Sequence, residues 1–180
     1  PPHPPLSNPI LSGCKDCRLC VDACPTGALR TDGYLDSRRC LSYQTIEYKG
    51  VIDPEMAQKL DFRFYGCTDC LTACPYNQPP NPPETSVLDP GGELPAETET
   101  VQSLGPWIDL VSLAARSNRE IKQYFSNTAL DRLSPTQVRR NLCAVLQNTQ
   151  TTQAADVLRR FLNSRSQTVQ KQAAQALQQH

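Results

Sequence analysis

The sequence lacks two features that would direct it to or through a membrane. No run of about eighteen apolar residues occurs anywhere in its 180 residues, so no membrane-spanning helix is expected. The chain begins Pro1-Pro2-His3-Pro4-Pro5, with no Met and no charged-then-apolar signal segment. We therefore expect residues 1–12 to be a proline-rich connector that leads out of a preceding domain, which makes the chain a fragment of a longer protein.

Positive charge is missing from one part of the chain and concentrated in another. The formal net charge is zero, yet residues 81–115 contain no Lys or Arg and six acidic residues. Residues 116–180 contain ten Lys and Arg residues and three acidic ones, a net charge of +7. A surface of this kind is typical of polyanion binding, although a solvated helix face is the ordinary alternative, and no base-reading motif is visible. The candidates are Arg132, Arg139, Arg140, Arg159, Arg160, Arg165 and Lys171.

Cysteine, by contrast, is abundant, and its spacing is specific. Cys14, Cys17, Cys20 and Cys24 form a C-x2-C-x2-C-x3-C-P run with Pro25, the pattern that bacterial ferredoxins use to bind [4Fe–4S] clusters. In that pattern three thiolates bind one cluster, while the fourth cysteine binds another. A second set of ligands is therefore expected.

The second set follows later in the chain. Cys67, Cys70 and Cys74 form C-x2-C-x3-C-P, and Cys40 lies between the two motifs. Eight thiolates suffice for two [4Fe–4S] clusters. The crossover rule of two-cluster ferredoxins assigns Cys14, Cys17, Cys20 and Cys74 to one cluster, and Cys24, Cys40, Cys67 and Cys70 to the other.

Two other uses of cysteine are less consistent with this pattern. Zinc sites usually combine two separated C-x2-C pairs, whereas here three cysteines are grouped as C-x2-C-x2-C. A disulfide framework would suit a small secreted domain, but nine cysteines is an odd number. The ninth, Cys143, lies among apolar residues in a helical pattern and is predicted to be a small buried side chain.

The remaining sequence suggests three further regions. We predict a ferredoxin-like domain over 13–78, with an insertion at 41–66 whose helix starts at the N-cap Asp53 with Pro54 at N1. Residues 79–106, rich in Pro, Gly and acidic residues, are predicted to be a linker. Residues 107–180 are predicted to be helical, with capping boxes at Ser117–Glu120 and Ser134–Gln137.

An internal repeat occurs within the helical part. The segment starting at Val138 aligns with the segment starting at Val169, an offset of 31 residues. Such an offset indicates stacked helical pairs, although it is shorter than the ~40–47 residues usual for HEAT repeats. The expected fold is thus α+β or mostly α: a bacterial-ferredoxin-like two-[4Fe–4S] domain followed by a short HEAT-like α-helical solenoid.

Several segments together resemble the epoxyqueuosine reductase family. They are Asp36 to Gly50, Tyr65-Gly66-Cys67-Thr68-Asp69-Cys70, Cys74-Pro75-Tyr76-Asn77, Thr128-Ala129-Leu130 with Arg132, Arg140-Asn141, and Leu146-Gln147-Asn148. The resemblance covers nearly all of residues 13–180, and generic ferredoxins lack the segment from Cys40 to Gly50.

The resemblance implies an oxidoreductase of queuosine biosynthesis. Its two clusters would pass electrons to a cobalamin that reduces epoxyqueuosine to queuosine at the tRNA wobble position, and the Cys14 cluster would lie nearer the cobalamin. Ser42 and Tyr43 would face the cobalamin, and Arg132, Arg139, Arg140, Asn141 and Lys171 would contact the tRNA anticodon stem-loop. The family's N-terminal domain, which binds most of the cobalamin and supplies the catalytic acid, has no counterpart here, so the chain alone should be inactive.

We also expect a cytoplasmic monomer that takes electrons from a low-potential donor such as a flavodoxin or ferredoxin and does not associate with membranes. Two other functions remain open. The chain could be a stand-alone two-[4Fe–4S] electron carrier with a helical docking tail, or a binding module in which the clusters are structural.

Overall fold

The computed structural model describes Cys14, residues 16–77 and residues 108–180. The predicted connector at 1–12 and linker at 79–106 lie outside these residues. None of the described helices has the length and apolar character needed to cross a bilayer. The described α-helices are α1 (Leu19–Asp22), α2 (Leu41–Ile46), α3 (Pro54–Leu60), α4 (Asp69–Thr72), α5 (Leu110–Ala115), α6 (Asn118–Tyr124), α7 (Pro135–Leu146), α8 (Thr152–Phe161) and α9 (Gln167–Leu177).

The described residues are mostly helical, which agrees with the mostly-α alternative of the predicted fold class. Their only paired extended residues form one antiparallel bridge, between Leu29 and Leu35. The α+β description is therefore not supported by this part of the chain. Short 3₁₀ helices at Ser37–Arg39, Pro75–Asn77 and Ala129–Arg132 connect the α-helices.

Local sequence signals correctly predicted where several helices begin. The Asp53 side chain accepts a hydrogen bond from the Glu55 N–H at the start of α3, with Pro54 in the first turn. Capping boxes are present at α6 and α7, where Ser117 pairs with Glu120 and Ser134 pairs with Gln137. Each box pairs donors that the first helical turn would otherwise leave without a partner, which fixes the start of the helix.

The C-terminal helices form a compact stack, which we call the helical module (residues 108–180). Helix α9 packs against both α7 and α8. A short connection, residues 147–151, joins α7 to α8. Val138, Leu142, Leu158 and Val169 are fully buried there, and each such side chain contributes about 2 kcal/mol of apolar burial. Helices α7 and α9 occupy the two copies of the 31-residue repeat.

The insertion segment (residues 41–66) shares the core of the helical module. Leu41, Ile52, Ala57, Leu60 and Phe64 are buried in the same apolar cluster as the residues of α5 to α9. Helix α3 packs directly on α7. A segment that interrupts the cysteine motifs in sequence is therefore joined in space to the C-terminal helices.

Candidate functional site

The two cysteine motifs fold in the same way, fifty positions apart. The residues that precede α1 and α4, Arg18 and Thr68, have φ/ψ of −123°/5° and −121°/8°. The residues that follow these helices, Ala23 and Ala73, have φ/ψ of −77°/−13° and −75°/−15°. Because the two helices also pack against each other, the cysteines of both motifs lie around one common interface.

The turn after Cys24 directs donors at its sulfur atom. Gly27 has φ of +62°, as predicted for the reversal that follows Pro25. The Ala28 N–H donates to Cys24 Sγ at 3.3 Å. Partial burial disfavours ionisation of Cys24, but hydrogen bonds from the backbone at Leu29, Thr26 and Ala28 outweigh it and lower the pKa of the thiol. A metal ligand must be a thiolate, so this turn favours the binding form.

Reciprocal hydrogen bonds connect this turn to Cys40. The Thr26 hydroxyl donates to the Arg39 carbonyl at 2.6 Å, and Arg39 Nε and Nη2 donate to the Thr26 carbonyl at 2.9 and 2.7 Å. Thr26 is almost fully buried, so the contact is shielded from water. The Cys24 turn and the residue before Cys40 are thus held together.

Cys24 and Cys40 act electrostatically on Cys70. Burial is the main cause of its raised pKa, with further contributions from the charges of Cys24 and Cys40. Burial also raises the pKa of Cys67. The assignment of Cys24, Cys40, Cys67 and Cys70 to one cluster stays a prediction.

The other predicted cluster includes an exposed cysteine. Cys17 donates its backbone N–H to the Cys14 carbonyl at 2.6 Å, and Cys74 lies two residues after the end of α4. Cys14, Cys20 and Cys74 are partly exposed and Cys17 is exposed. The assignment of these four cysteines to one cluster remains a prediction.

The spacing of the cysteines is that of a multi-iron cluster. Among the described residues, no group of three Cys, His, Asp or Glu side chains is arranged to hold one metal ion. A [4Fe–4S] cluster does not require thiolates to converge on one point, since each binds a different iron atom. Turns that donate N–H groups to sulfur are a common way of tuning such clusters, and the Cys24 turn has this property.

A surface pocket of about 420 Å³ lies beside Cys67. Ser42 and Tyr65 line it, and Tyr43, the other residue predicted to face a cobalamin, does not. By the crossover rule Cys67 belongs to the cluster expected to be farther from the cobalamin. The order of the two clusters relative to a cobalamin stays a prediction.

Two of the predicted tRNA contacts are wrong, because their side chains are fully buried. Arg140 Nη1 and Nη2 donate to the carbonyls of Gln44 and Tyr48 at 2.8 and 2.6 Å. Asn141 Nδ2 also donates to carbonyls of the insertion segment. Burial lowers the pKa of Arg140 to about 10, so the side chain is still charged at neutral pH. Both residues bind the insertion segment and are unavailable to nucleic acid.

The other three candidates differ in availability. Arg132 forms an exposed ion pair with Glu47, and Arg139 donates to Asn118 Oδ1 and the Arg116 carbonyl. Lys171 is exposed on α9. Of these, Lys171 is the best placed to meet a polyanion.

Curated relatives match most of the chain. A family of 4Fe-4S double cluster binding domains matches residues 13–77. An epoxyqueuosine reductase of Lactococcus garvieae is 37% identical over 140 residues, which cover 78% of this chain and 36% of that protein. That of Escherichia coli K12 is 31% identical over 144 residues, covering 80% of this chain and 35% of that protein.

Solved structures match the arrangement as well as the sequence. An epoxyqueuosine reductase solved with an epoxyqueuosine-modified tRNA-Tyr stem loop superposes with a TM-score of 0.69 and 30% identity, covering 92% of this chain and 41% of that one. The Bacillus subtilis epoxyqueuosine reductase gives a TM-score of 0.69 and 28% identity, over 99% of this chain and 44% of that one. The resemblance to the epoxyqueuosine reductases is confirmed.

This chain spans about a third of the length of the epoxyqueuosine reductases that it matches in sequence. Sequence reasoning missed how its helical module holds the insertion segment. The side chains involved donate to backbone carbonyls across a separation of more than 75 residues: Gln137, Arg140, Asn141, Gln147, Asn148, Gln172 and Gln175. The spacing of Gln137, Arg140 and Asn141 on one face of α7 was the available signal for a second packing face.

Proposed function

We propose that this chain is the C-terminal portion of an epoxyqueuosine reductase, relaying electrons through two [4Fe–4S] clusters toward a cobalamin while its helical module binds tRNA. One observation carries the proposal. The insertion segment of the double-cluster region shares one core with the helical module, and the chain superposes on solved epoxyqueuosine reductases. A generic ferredoxin has neither the insertion segment nor the helices that hold it.

The eight cysteines hold the electron relay in this proposal. Cys14, Cys17, Cys20 and Cys74 bind one cluster, and Cys24, Cys40, Cys67 and Cys70 bind the other. Backbone N–H groups near Cys24 and partial burial of Cys67 and Cys70 set the electrostatic surroundings of the second cluster, and such surroundings tune cluster potentials. A low-potential flavodoxin or ferredoxin would supply the electrons.

The pocket beside Cys67 fits one edge of a large cofactor and not the whole of a cobalamin. Its volume, about 420 Å³, lies at the small end of ordinary ligand sites. When bound, cobalamin supplies reducing power at a cobalt centre. Ser42, Tyr65 and Arg63 would border it from this chain, and a domain outside the chain would hold the rest.

Transfer RNA would meet the exposed cations of the helical module. Arg160, Arg165 and Lys171 are exposed, and none of them forms an ion pair with another described residue. Arg139 and Arg132 lie nearer the insertion segment, where their charge is partly engaged by hydrogen bonds. Stacked α7, α8 and α9 would act as a HEAT-like surface for the anticodon stem-loop.

The test uses the intact native protein, loaded with clusters and cobalamin, reduced without oxygen and given a tRNA stem-loop that carries epoxyqueuosine. Mass spectrometry of the nucleosides should detect queuosine, which has one oxygen atom fewer. The 180-residue chain alone should reduce its clusters and produce no queuosine. Failure of the intact protein to convert the substrate would overturn the proposal and favour a stand-alone electron carrier.

A further inference from the structure

Asn141 bridges the two chain segments that carry Cys40 and Cys67. Its side chain is fully buried on α7, and Nδ2 donates to the Thr45 carbonyl at 2.9 Å and to the Phe64 carbonyl at 3.1 Å. Thr45 lies in α2, which begins immediately after Cys40. Phe64 lies three positions before Cys67. One amide group therefore binds the backbone near two cysteines that are 27 positions apart in sequence.

Thr45 makes the same connection more directly. Its hydroxyl donates to the Leu41 carbonyl at 2.9 Å and accepts the Gly66 N–H at 2.9 Å. Leu41 follows Cys40 in the chain, and Gly66 precedes Cys67. Because Thr45 is fully buried, water cannot replace either hydrogen bond without opening the core.

Gly66 adds a constraint on the direction of Cys67. Its φ of +73° lies in the left-handed region, which residues other than glycine adopt only with strain. The hydrogen bond from its N–H to Thr45 Oγ1 stabilises the backbone in this conformation. The sulfur atom of Cys67 is thus aimed by a turn whose geometry depends on Thr45.

We propose that Asn141 and Thr45 are positioning residues for the cluster bound by Cys24, Cys40, Cys67 and Cys70. They fix the separation of Cys40 and Cys67, and Asn141 connects that cluster to the helical module. The inference uses the ligand assignment made above and does not depend on reductase activity. The other cluster is bound by Cys14, Cys17, Cys20 and Cys74. None of these cysteines adjoins a residue that Thr45 or Asn141 contacts, so that cluster should be insensitive to substitution of either residue.

The test compares Thr45→Val with Thr45→Ser in the intact holoprotein. Valine keeps the shape of threonine and removes the hydroxyl, whereas serine keeps the hydroxyl. Each change is placed in a Cys14→Ser background, which retains the Cys40 cluster, and in a Cys40→Ser background, which retains the other. Release of iron to a chelator is followed by absorbance, and the reduced clusters by electron paramagnetic resonance.

Thr45→Val should release iron about tenfold faster in the Cys14→Ser background, the usual scale for losing a hydrogen bond that orients a metal ligand. Its resonance spectrum should also change there. Thr45→Ser should restore the slow rate. In the Cys40→Ser background neither substitution should change the rate of release.

Asn148→Ala is the matched control. Asn148 Nδ2 also donates to two carbonyls of the insertion segment, those of Ala57 and Asp61, both at 2.9 Å, but neither adjoins a cysteine. It should lower the melting temperature without a selective effect on iron release. An equal effect of Thr45→Val in both backgrounds, no effect in either, or the same selective effect from Asn148→Ala would overturn the proposal. Since iron release is measured without substrate, a failed conversion of epoxyqueuosine would count only against the proposed function.

Discussion

The segments that carry the cysteines and the segment inserted between them are built on different physical principles. In residues 16–40 the buried apolar side chain is that of Ala28, and α1 and α4 contain no buried residue. The insertion segment contributes Leu41, Ile52 and Leu60, all at 2% exposure or less, to the core of the helical module. The chain thus alternates between a part with almost no buried apolar side chains and a part that contributes several of them to the shared core.

This contrast indicates where the cluster-binding part obtains its order. A segment that buries so little apolar surface cannot offset the conformational entropy it loses on folding. Cluster binding supplies that stability, as in other small metal-dependent domains. The insertion segment gains its order from the helical module and carries it to Cys40 and Cys67.

Removing the iron should have the largest effect and separate the two parts. After anaerobic chelation, amide hydrogen exchange should become fast in residues 16–40, where iron–sulfur bonds replace a core. Residues 135–177 should keep their protection, because their core is built mainly from apolar side chains and not from cluster ligands. Equal loss of protection in both parts would contradict the contrast.

Substituting one crossover ligand should remove one cluster. Cys24→Ser should reduce the iron content from about eight to about four atoms per chain, because Cys24 belongs to the cluster of the second motif. Cys143→Ala serves as the control and should leave iron unchanged. Retention of the cluster bound by Cys67 and Cys70, with loss of the other, would show that the crossover assignment is wrong.

Arg140 tests how strongly the helical module holds the insertion segment. Arg140→Ala should reduce the free energy of unfolding by about 3 kcal/mol, since it leaves buried carbonyls without donors and opens a cavity. Arg139→Ala, next to it on the same helix, should cost about 1 kcal/mol because Arg139 is only partly buried. Denaturant unfolding of the holoprotein measures both, and similar losses would contradict the burial difference.

Substitution of Cys143 should have the smallest effect on stability and no effect on iron content. It is fully buried, and burial raises the pKa of its thiol, so it is neutral at neutral pH. Cys143→Ala should cost about 1 kcal/mol of unfolding free energy through a small cavity. Cys143→Ser should cost more, because a hydroxyl would be buried there. A changed iron content in either variant would assign Cys143 a role as ligand.

Sequence reasoning succeeded where the signal is local. The N-cap at Asp53 and the capping box at Ser134 each depend on residues within one helical turn, and Cys143 was recognised from its apolar neighbours. It failed at Arg140 and Asn141, which look like surface residues of a basic helix. Their burial depends on which face of α7 the insertion segment covers, a contact between residues more than 75 positions apart.

The central claim is that eight cysteines hold two [4Fe–4S] clusters in the part of the chain that lacks an apolar core. The most direct test is the iron, acid-labile sulfide and zinc content of the intact protein isolated without oxygen, with electron paramagnetic resonance of the reduced sample. The account predicts about eight iron and eight sulfide atoms for each chain, with negligible zinc and the spectrum of two reduced clusters. Stoichiometric zinc, or about four iron atoms in the wild-type protein, would contradict it.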